Sequence, residues 1–557
     1  MAIKNLTIKE TFESAYQNFQ KGNFEVAEAL YKKILKINPS HFGSNFYLGT
    51  LFVQTKKFKS AKLLLYKATQ INPNYAAAHN NLGAALKELG EYQKTISCCQ
   101  KAIQINPNYA DAHNNLGAAL TELGEYQKAI NYCQKAIQIQ PNLGGAHINL
   151  GLVFQELGEY QKAIGCYKKL SEVQPNSANP HQNLGRLYMV MGDIQKAISS
   201  YENALKYEPE NLVYYYHLID LKKEILDLKL KNKINRILND SNCTKENLAY
   251  GNFLLSKYEQ KSKNYKKEFN YLLKGHQCYF ESEDNKENRK HVQYWLNKLP
   301  NAEELRNFNK FKKNIKKTNN KIKPIFIVGV PRCGSTLVEK IIASGKKIIP
   351  TGEEVGVIGT FVKAKLIKKQ SLNSEIEDFQ IKLSEIYKQK RLIHEKYDYT
   401  FTDKTLENFF YIGMIKEVFP HAKVINCKRS PLSSIISILQ NNLPGVPWAH
   451  NLKHIFKYFD IYYKIINNFK KKFPNFIFEL NLDKLVNNPE TESQKLMEFC
   501  DLPWDKKCLE FYKRKDLISK TTSNIQIRKA INKDSIKKYL PYKHFLRKYG
   551  DKYNWFY

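Results

Sequence analysis

Prolines at Pro39, Pro73, Pro107, Pro141, Pro175 and Pro209 stand 34 residues apart. A fixed period of that length marks an array of helix pairs, none of which can bury its apolar face alone. The positions around each proline recur too, as in Leu116-Gly117, then Gly124, Tyr126, Ala129 and Ala136 before Pro141. Small residues let two helices approach closely, and the proline ends the second helix. Six units run from Thr7 to Glu210, so an α-helical solenoid is expected over 7–211.

This pattern resembles the tetratricopeptide repeat, in which the first helix of each pair lines a concave groove. Asn81, Asn115, Asn149 and Asn183 recur at one position of that helix, with His79, His113, His147 and His181 two residues earlier. The Asn ladder is similar to that in the repeat domain of O-linked N-acetylglucosamine transferase, where amides hold an extended peptide. The resemblance implies a protein or peptide partner, since an amide offers one acceptor and two donors to a main chain. Hydrogen bonding between repeats is the alternative use of the same side chains. The four histidines are not expected to bind metal, because their rungs are a whole repeat apart and no carboxylate or cysteine recurs beside them.

Helical periodicity continues from Leu212 to Leu299 without the proline register, and Tyr250 to Tyr279 reads as a degenerate repeat. A helical cap and connector is expected over 212–320. After the Lys/Asn-rich stretch that ends it, strand and helix alternate, which predicts a parallel α/β domain over 321–557. The formal charge of +35 would suit an anionic ligand. Lys and Asn are abundant along the whole chain, however, so charge alone selects no partner, and nucleic acid is not expected. Ten scattered cysteines show no zinc-ribbon or redox-dithiol spacing and point to reduced thiols in a cytoplasmic protein. No export signal and no apolar run of membrane-spanning length is read.

The segment that carries chemistry is Pro324-Ile-Phe-Ile-Val-Gly-Val-Pro-Arg-Cys-Gly-Ser-Thr-Leu, a buried strand, a Gly/Pro turn and the start of a helix. Gly329 and Gly334 fit the nucleoside-triphosphate loop G-x-x-x-x-G-K-S/T, but Ser335 stands where its lysine belongs. A P-loop kinase, which needs that lysine and Mg²⁺, is therefore disfavoured. The pattern P-R-x-G-S/T-T-L resembles the 5′-phosphosulfate loop of sulfotransferases. The resemblance implies that Arg332, with Cys333, Gly334, Ser335, Thr336 and Leu337, holds 3′-phosphoadenosine 5′-phosphosulfate at a helix N-terminus. It also implies a P-loop-like sulfotransferase domain that needs no metal.

A second strand and helix, Lys423-Val-Ile-Asn-Cys-Lys-Arg-Ser-Pro-Leu-Ser-Ser-Ile-Ile-Ser, places Arg429 and Ser437 eight residues apart, the spacing of the family's 3′-phosphate clamp. Ser430 and Leu432 depart from the Asp and Arg common there. Thr351-Gly-Glu-Glu-Val looks like the G-E-E segment of tyrosylprotein sulfotransferases, whose glutamate is the general base. By that likeness Glu354 is the expected base and Glu353 the close second. Lys404 matches the lysine that stabilises the leaving phosphate, with Arg332 beside it. The His of cytosolic sulfotransferases is replaced by Leu406. In the tail, Ser523, Arg528, Lys529 and Lys538 match positions that close over the cofactor in tyrosylprotein and bacterial repeat-containing sulfotransferases. Leu482 stands where relatives carry a Tyr. The chain is thus identified as resembling a bacterial-type tetratricopeptide-repeat sulfotransferase that moves a sulfuryl group to an acceptor hydroxyl, with protein tyrosine as one candidate. A repeat scaffold carrying an inactive domain is the rival.

Overall fold

The computed structural model describes residues 7–282, 286–302, 305, 321–367, 376–394, 398–514, 516–517, 519, 526–531 and 537–556. They form two compact units, 1–180 and 181–557, so the sixth repeat gathers with the connector and the sheet domain.

The first unit consists of helix pairs, from Ile8–Gln20 with Phe24–Ile37 to Gly144–Glu156 with Tyr160–Val173. Thr7 starts the array with a capping box, its hydroxyl accepting from the Glu10 amide while the Glu10 carboxylate accepts from the Thr7 amide. Ala27, Ala61, Ala129 and Ala163, one per repeat, are fully buried. At Gly117 a Cβ would lie 2.5 Å from Cys133 Sγ, so only glycine permits that helix contact. The turn inside each pair is left-handed at the same position every time: Gly22, Lys56, Gly90, Gly124, Gly158 and, in the second unit, Gly192. Lys56 is the one non-glycine of the six.

The second unit takes in all but the first two residues of the helix Asn179–Met191 and continues through Ile194–Tyr207, Leu212–Leu221, Leu228–Leu238 and the pair Lys245–Lys261 and Tyr265–Glu281, which turns at a left-handed Lys263. Its sheet has four parallel strands: β1 (Lys323–Gly329), β2 (Thr400–Asp403), β3 (Lys423–Lys428) and β4 (Ile477–Asn481), in the order β2-β1-β3-β4. After Lys323, β1 is buried throughout, as a central strand covered on both faces must be. Phe326 pairs with Asp403 and Gly329 with Cys427, which brings the carboxyl ends of β1, β2 and β3 together. The chain leaves β1 toward β2 on one side and β3 toward β4 on the other. A crevice at such a switch point is where open α/β sheets bind ligands.

The connector is joined to this sheet by polar contacts. Asn442 donates from its backbone to Tyr216 Oη at 3.2 Å and from Nδ2 to Tyr250 Oη at 3.1 Å. Buried Glu268 accepts from Tyr542 at 2.6 Å and Gln440 at 2.9 Å. These contacts explain why the compact unit includes the connector.

Candidate active site

The turn after β1 is built from residues in rare conformations. Arg332 has φ of 68° and Gly334 of 95°. Leu482 packs over the turn so tightly that a Cβ on Gly334 would lie 2.6 Å from its Cδ1. Leu482 thus closes the loop by packing. Cys333, Ser335 and Thr336 are buried, Leu337 is half-buried, and the helix Ser335–Ala343 points its N-terminus at the crevice. Cys427 at the end of β3 donates to the Cys333 sulfur, which holds that thiol below its ordinary value.

From the end of β3, Arg429 Nη1 donates to the Arg332 carbonyl at 3.3 Å. Arg332 Nε in turn donates to Ser437 Oγ at 3.1 Å, on the helix Pro431–Leu439. The structure therefore brings together Arg332, Arg429 and Ser437 from segments about 100 residues apart in the sequence. Burial, then the neighbouring Arg429 charge, lowers Arg332 to about 10. Two guanidinium charges that repel one another are relieved by an anion.

Beside them, the segment at 352–354 pairs with the end of β2. Lys404 N donates to Gly352 O at 2.9 Å and Glu354 N to Lys404 O at 3.1 Å. The Lys404 ammonium is buried and donates to Glu353 Oε1 at 2.8 Å and Thr336 Oγ1 at 3.3 Å. Burial would depress Lys404, but Glu353, Glu354 and Glu339 reverse this and raise it. The same Glu353 oxygen accepts from Thr336 at 3.3 Å and from Ser519 at 3.0 Å. Glu354, by contrast, is exposed and carries a left-handed φ of 54°. Strained non-glycine residues of this kind cluster at functional sites. A buried frame holds the pair in place: Glu339 accepts from Thr402 at 2.7 Å, and Thr402 accepts from the Gly352 amide at 3.1 Å.

The tail residues are placed differently. Ser523 lies outside the described residues, and Lys529 and Lys538 are exposed. Arg528 donates to Met191 O at 3.3 Å and Arg514 O at 3.2 Å, so it anchors the tail to the turn of the sixth repeat. Ser519 was missed, because a single Ser in a Lys/Ser/Thr-rich tail carries no sequence signal.

Of the two uses expected for the Asn ladder, the structure shows hydrogen bonds between repeats. Asn81 donates to Thr50 at 3.0 Å, Asn115 to Asn80 at 2.9 Å and Asn149 to Asn114 at 2.8 Å. Each acceptor lies in the preceding repeat, so one of each amide's two donor hydrogens is spent on stacking. Asn183 is half-buried on the helix Asn179–Met191. His79, His113 and His147 each place Nε2 2.9 Å from the carbonyl of the proline six residues earlier. All ten cysteines are free, and among the described residues no group of three or more His, Cys, Asp or Glu could hold a metal ion. Among them, too, no helix is long and apolar enough to cross a membrane.

Comparison with known proteins agrees with this architecture. Residues 324–506 match the sulfotransferase family, and residues 76–109, 110–143, 146–178 and 178–211 match tetratricopeptide repeats. An uncharacterized protein of Aquifex aeolicus (strain VF5) is 31% identical over 336 residues, which is 56% of this chain; the chain spans 42% of that relative's length. A crystal structure of MamA protein is 30% identical, covers 31% of this chain and 94% of its own, and has a TM-score of 0.27. A structure of Pseudomonas aeruginosa pilF is 21% identical over 39% of this chain and 97% of its own, with a TM-score of 0.33. The chain therefore combines tetratricopeptide repeats with a sulfotransferase-family domain.

Proposed function

We propose that this sulfotransferase-family domain transfers a sulfuryl group from 3′-phosphoadenosine 5′-phosphosulfate to an acceptor hydroxyl, and that the acceptor is a protein or peptide engaged by the repeats in a reducing cytoplasm. The observation that carries the reading is the convergence of Arg332, Arg429 and Ser437 at the carboxyl ends of β1 and β3. The donor set fits a ligand with two phosphate groups: two guanidinium groups, a hydroxyl and a helix N-terminus, with Ser335 in place of a triphosphate-gripping lysine. Arg332 and the amides of the turn would hold the 5′ side, and Arg429 with Ser437 the 3′-phosphate. Bound there, the donor supplies an activated sulfuryl group and leaves as a bisphosphate.

The neighbouring glutamates divide the work. Glu353 spends one oxygen on Lys404, Thr336 and Ser519, and three donors to a carboxylate favour its charged form and leave it a poor base. Glu354 is exposed, aimed by its strained backbone, and takes the proton of the acceptor hydroxyl. Lys404, kept charged by its carboxylate neighbours, stabilises negative charge as the phosphate departs.

Adenosine 3′,5′-bisphosphate should raise the melting temperature without added metal, and far more than ATP with Mg²⁺, because only a ligand specific for the folded site stabilises it. Arg429→Ala should weaken that binding about 10- to 100-fold, the worth of one charge-assisted contact. A larger shift from ATP with Mg²⁺ would favour phosphoryl transfer instead.

A further inference from the structure

Arg514 and Ser519, from the C-terminal part of the chain, reach opposite ends of the helix Ser335–Ala343. Arg514 Nη1 donates to the Ala343 carbonyl, at the helix end where a cation is favoured. Leu517 is buried, and Ser519, with no exposed surface, donates to Glu353 Oε1 at 3.0 Å beside Thr336 at the other end of that helix. A residue about 165 positions downstream in the sequence thus reaches the carboxylate that grips Lys404.

We propose that Ser519 is a positioning residue for sulfuryl transfer. Resting on the role proposed for Lys404, the inference is that Ser519 keeps Glu353 ionised and oriented while the Lys404 ammonium turns toward the departing phosphate. Three donors share one oxygen. When Lys404 loosens its 2.8 Å contact, Thr336 and Ser519 remain to satisfy a carboxylate that is 7% exposed and has little water to replace the lost partner. Without Ser519, Glu353 would hold Lys404 more firmly or take up a proton, and either outcome slows the step that needs the free ammonium. Ser519 touches neither the acceptor nor the donor in this role and acts only through Glu353.

The test is a double-mutant cycle on the full chain, read in kcat with sulfur-35-labelled donor. Ser519→Ala should lower kcat about 10- to 100-fold, the range for one hydrogen bond to a charged group, while bisphosphate binding stays within about twofold of wild type. The acid limb of the pH profile should move to higher pH, because Glu353 loses a donor to its charged form. Ser519→Thr, which keeps the hydroxyl, should restore most of the rate. In a Glu353→Gln background Ser519→Ala should have little further effect. Wild-type kcat in Ser519→Ala, or an equal loss in both backgrounds, would overturn the proposal; should the alanine variant fail to fold, a threonine variant as slow as Glu353→Gln would do so. The same cycle read in melting temperature should show Ser519 and Glu353 non-additive and reports the contact without catalysis, so a chain that transfers no sulfuryl group overturns the reading of function separately.

Discussion

The repeat array and the sheet domain use polar side chains in opposite ways. In the array, Asn81, Asn115 and Asn149 repeat one local task at one helix position, each tying its own helix to the preceding repeat. In the sheet domain, Arg332, Glu353, Lys404, Arg429, Ser437 and Ser519 come from distant parts of the sequence, and they meet different partners near the carboxyl ends of β1, β2 and β3. Periodic polar residues are mostly satisfied by their own periodicity. Convergent ones leave unequal neighbours, and the contrast between buried Glu353 and exposed Glu354 is the clearest case.

The largest effect that could break this contrast lies in those two glutamates. Glu354→Gln should cut kcat about 10²- to 10⁴-fold, the range for a positioned general base, with bisphosphate binding nearly unchanged. If Glu353→Gln alone abolished turnover and Glu354→Gln were normal, the roles would be exchanged. Next comes the array. Replacing Asn81, Asn115 and Asn149 together by Ala should cost about 2–4 kcal/mol of stability in a circular-dichroism melt, three hydrogen bonds of about 0.5–1.5 kcal/mol each. A full-stability array that no longer engages a protein acceptor would assign the amides to peptide binding instead.

A comparable effect, of about 3 kcal/mol, concerns Asp403, the residue before Lys404. Burial raises its carboxyl from 3.8 to about 6, although Tyr387, Thr405 and Asn408 hydrogen-bond to it. A raised carboxyl stabilises the fold fully below about pH 4 and loses that contribution as pH climbs through about 6. Melting temperatures from pH 4 to 8 should show this decline, and Asp403→Asn should flatten it. The smallest effect sharpens the periodic side: Lys56→Gly, which supplies a glycine at the left-handed turn, should stabilise the array by about 1 kcal/mol. A loss of stability would mean that the Lys56 side chain contributes more than its backbone costs.

Legibility in the sequence divides along the same line. The proline period located the helix pairs because each repeat folds by contacts within itself and with its neighbours. The loop at Arg332 and the strand end at Arg429 were legible because strand, turn and helix are local patterns. The grouping of the connector with the sheet domain was not, since Tyr216, Tyr250 and Glu268 reach Asn442, Tyr542 and Gln440 across more than 170 residues of sequence. The anchoring of Arg528 on Met191 O and the arrival of Ser519 at Glu353 are equally non-local. The Asn ladder was visible as a pattern with two uses open, and its acceptors Thr50, Asn80 and Asn114 were not legible because they are set by how adjacent helices stack.

The most direct test of sulfuryl transfer is incubation of the whole chain with sulfur-35-labelled 3′-phosphoadenosine 5′-phosphosulfate and a cell lysate, without added metal, followed by separation of protein, glycan and lipid. The expected result is label in the protein fraction, lost with Glu354→Gln and Arg429→Ala. Absence of label from all three fractions under conditions where adenosine 3′,5′-bisphosphate neither binds nor stabilises the chain would contradict the assignment of the crevice to this donor.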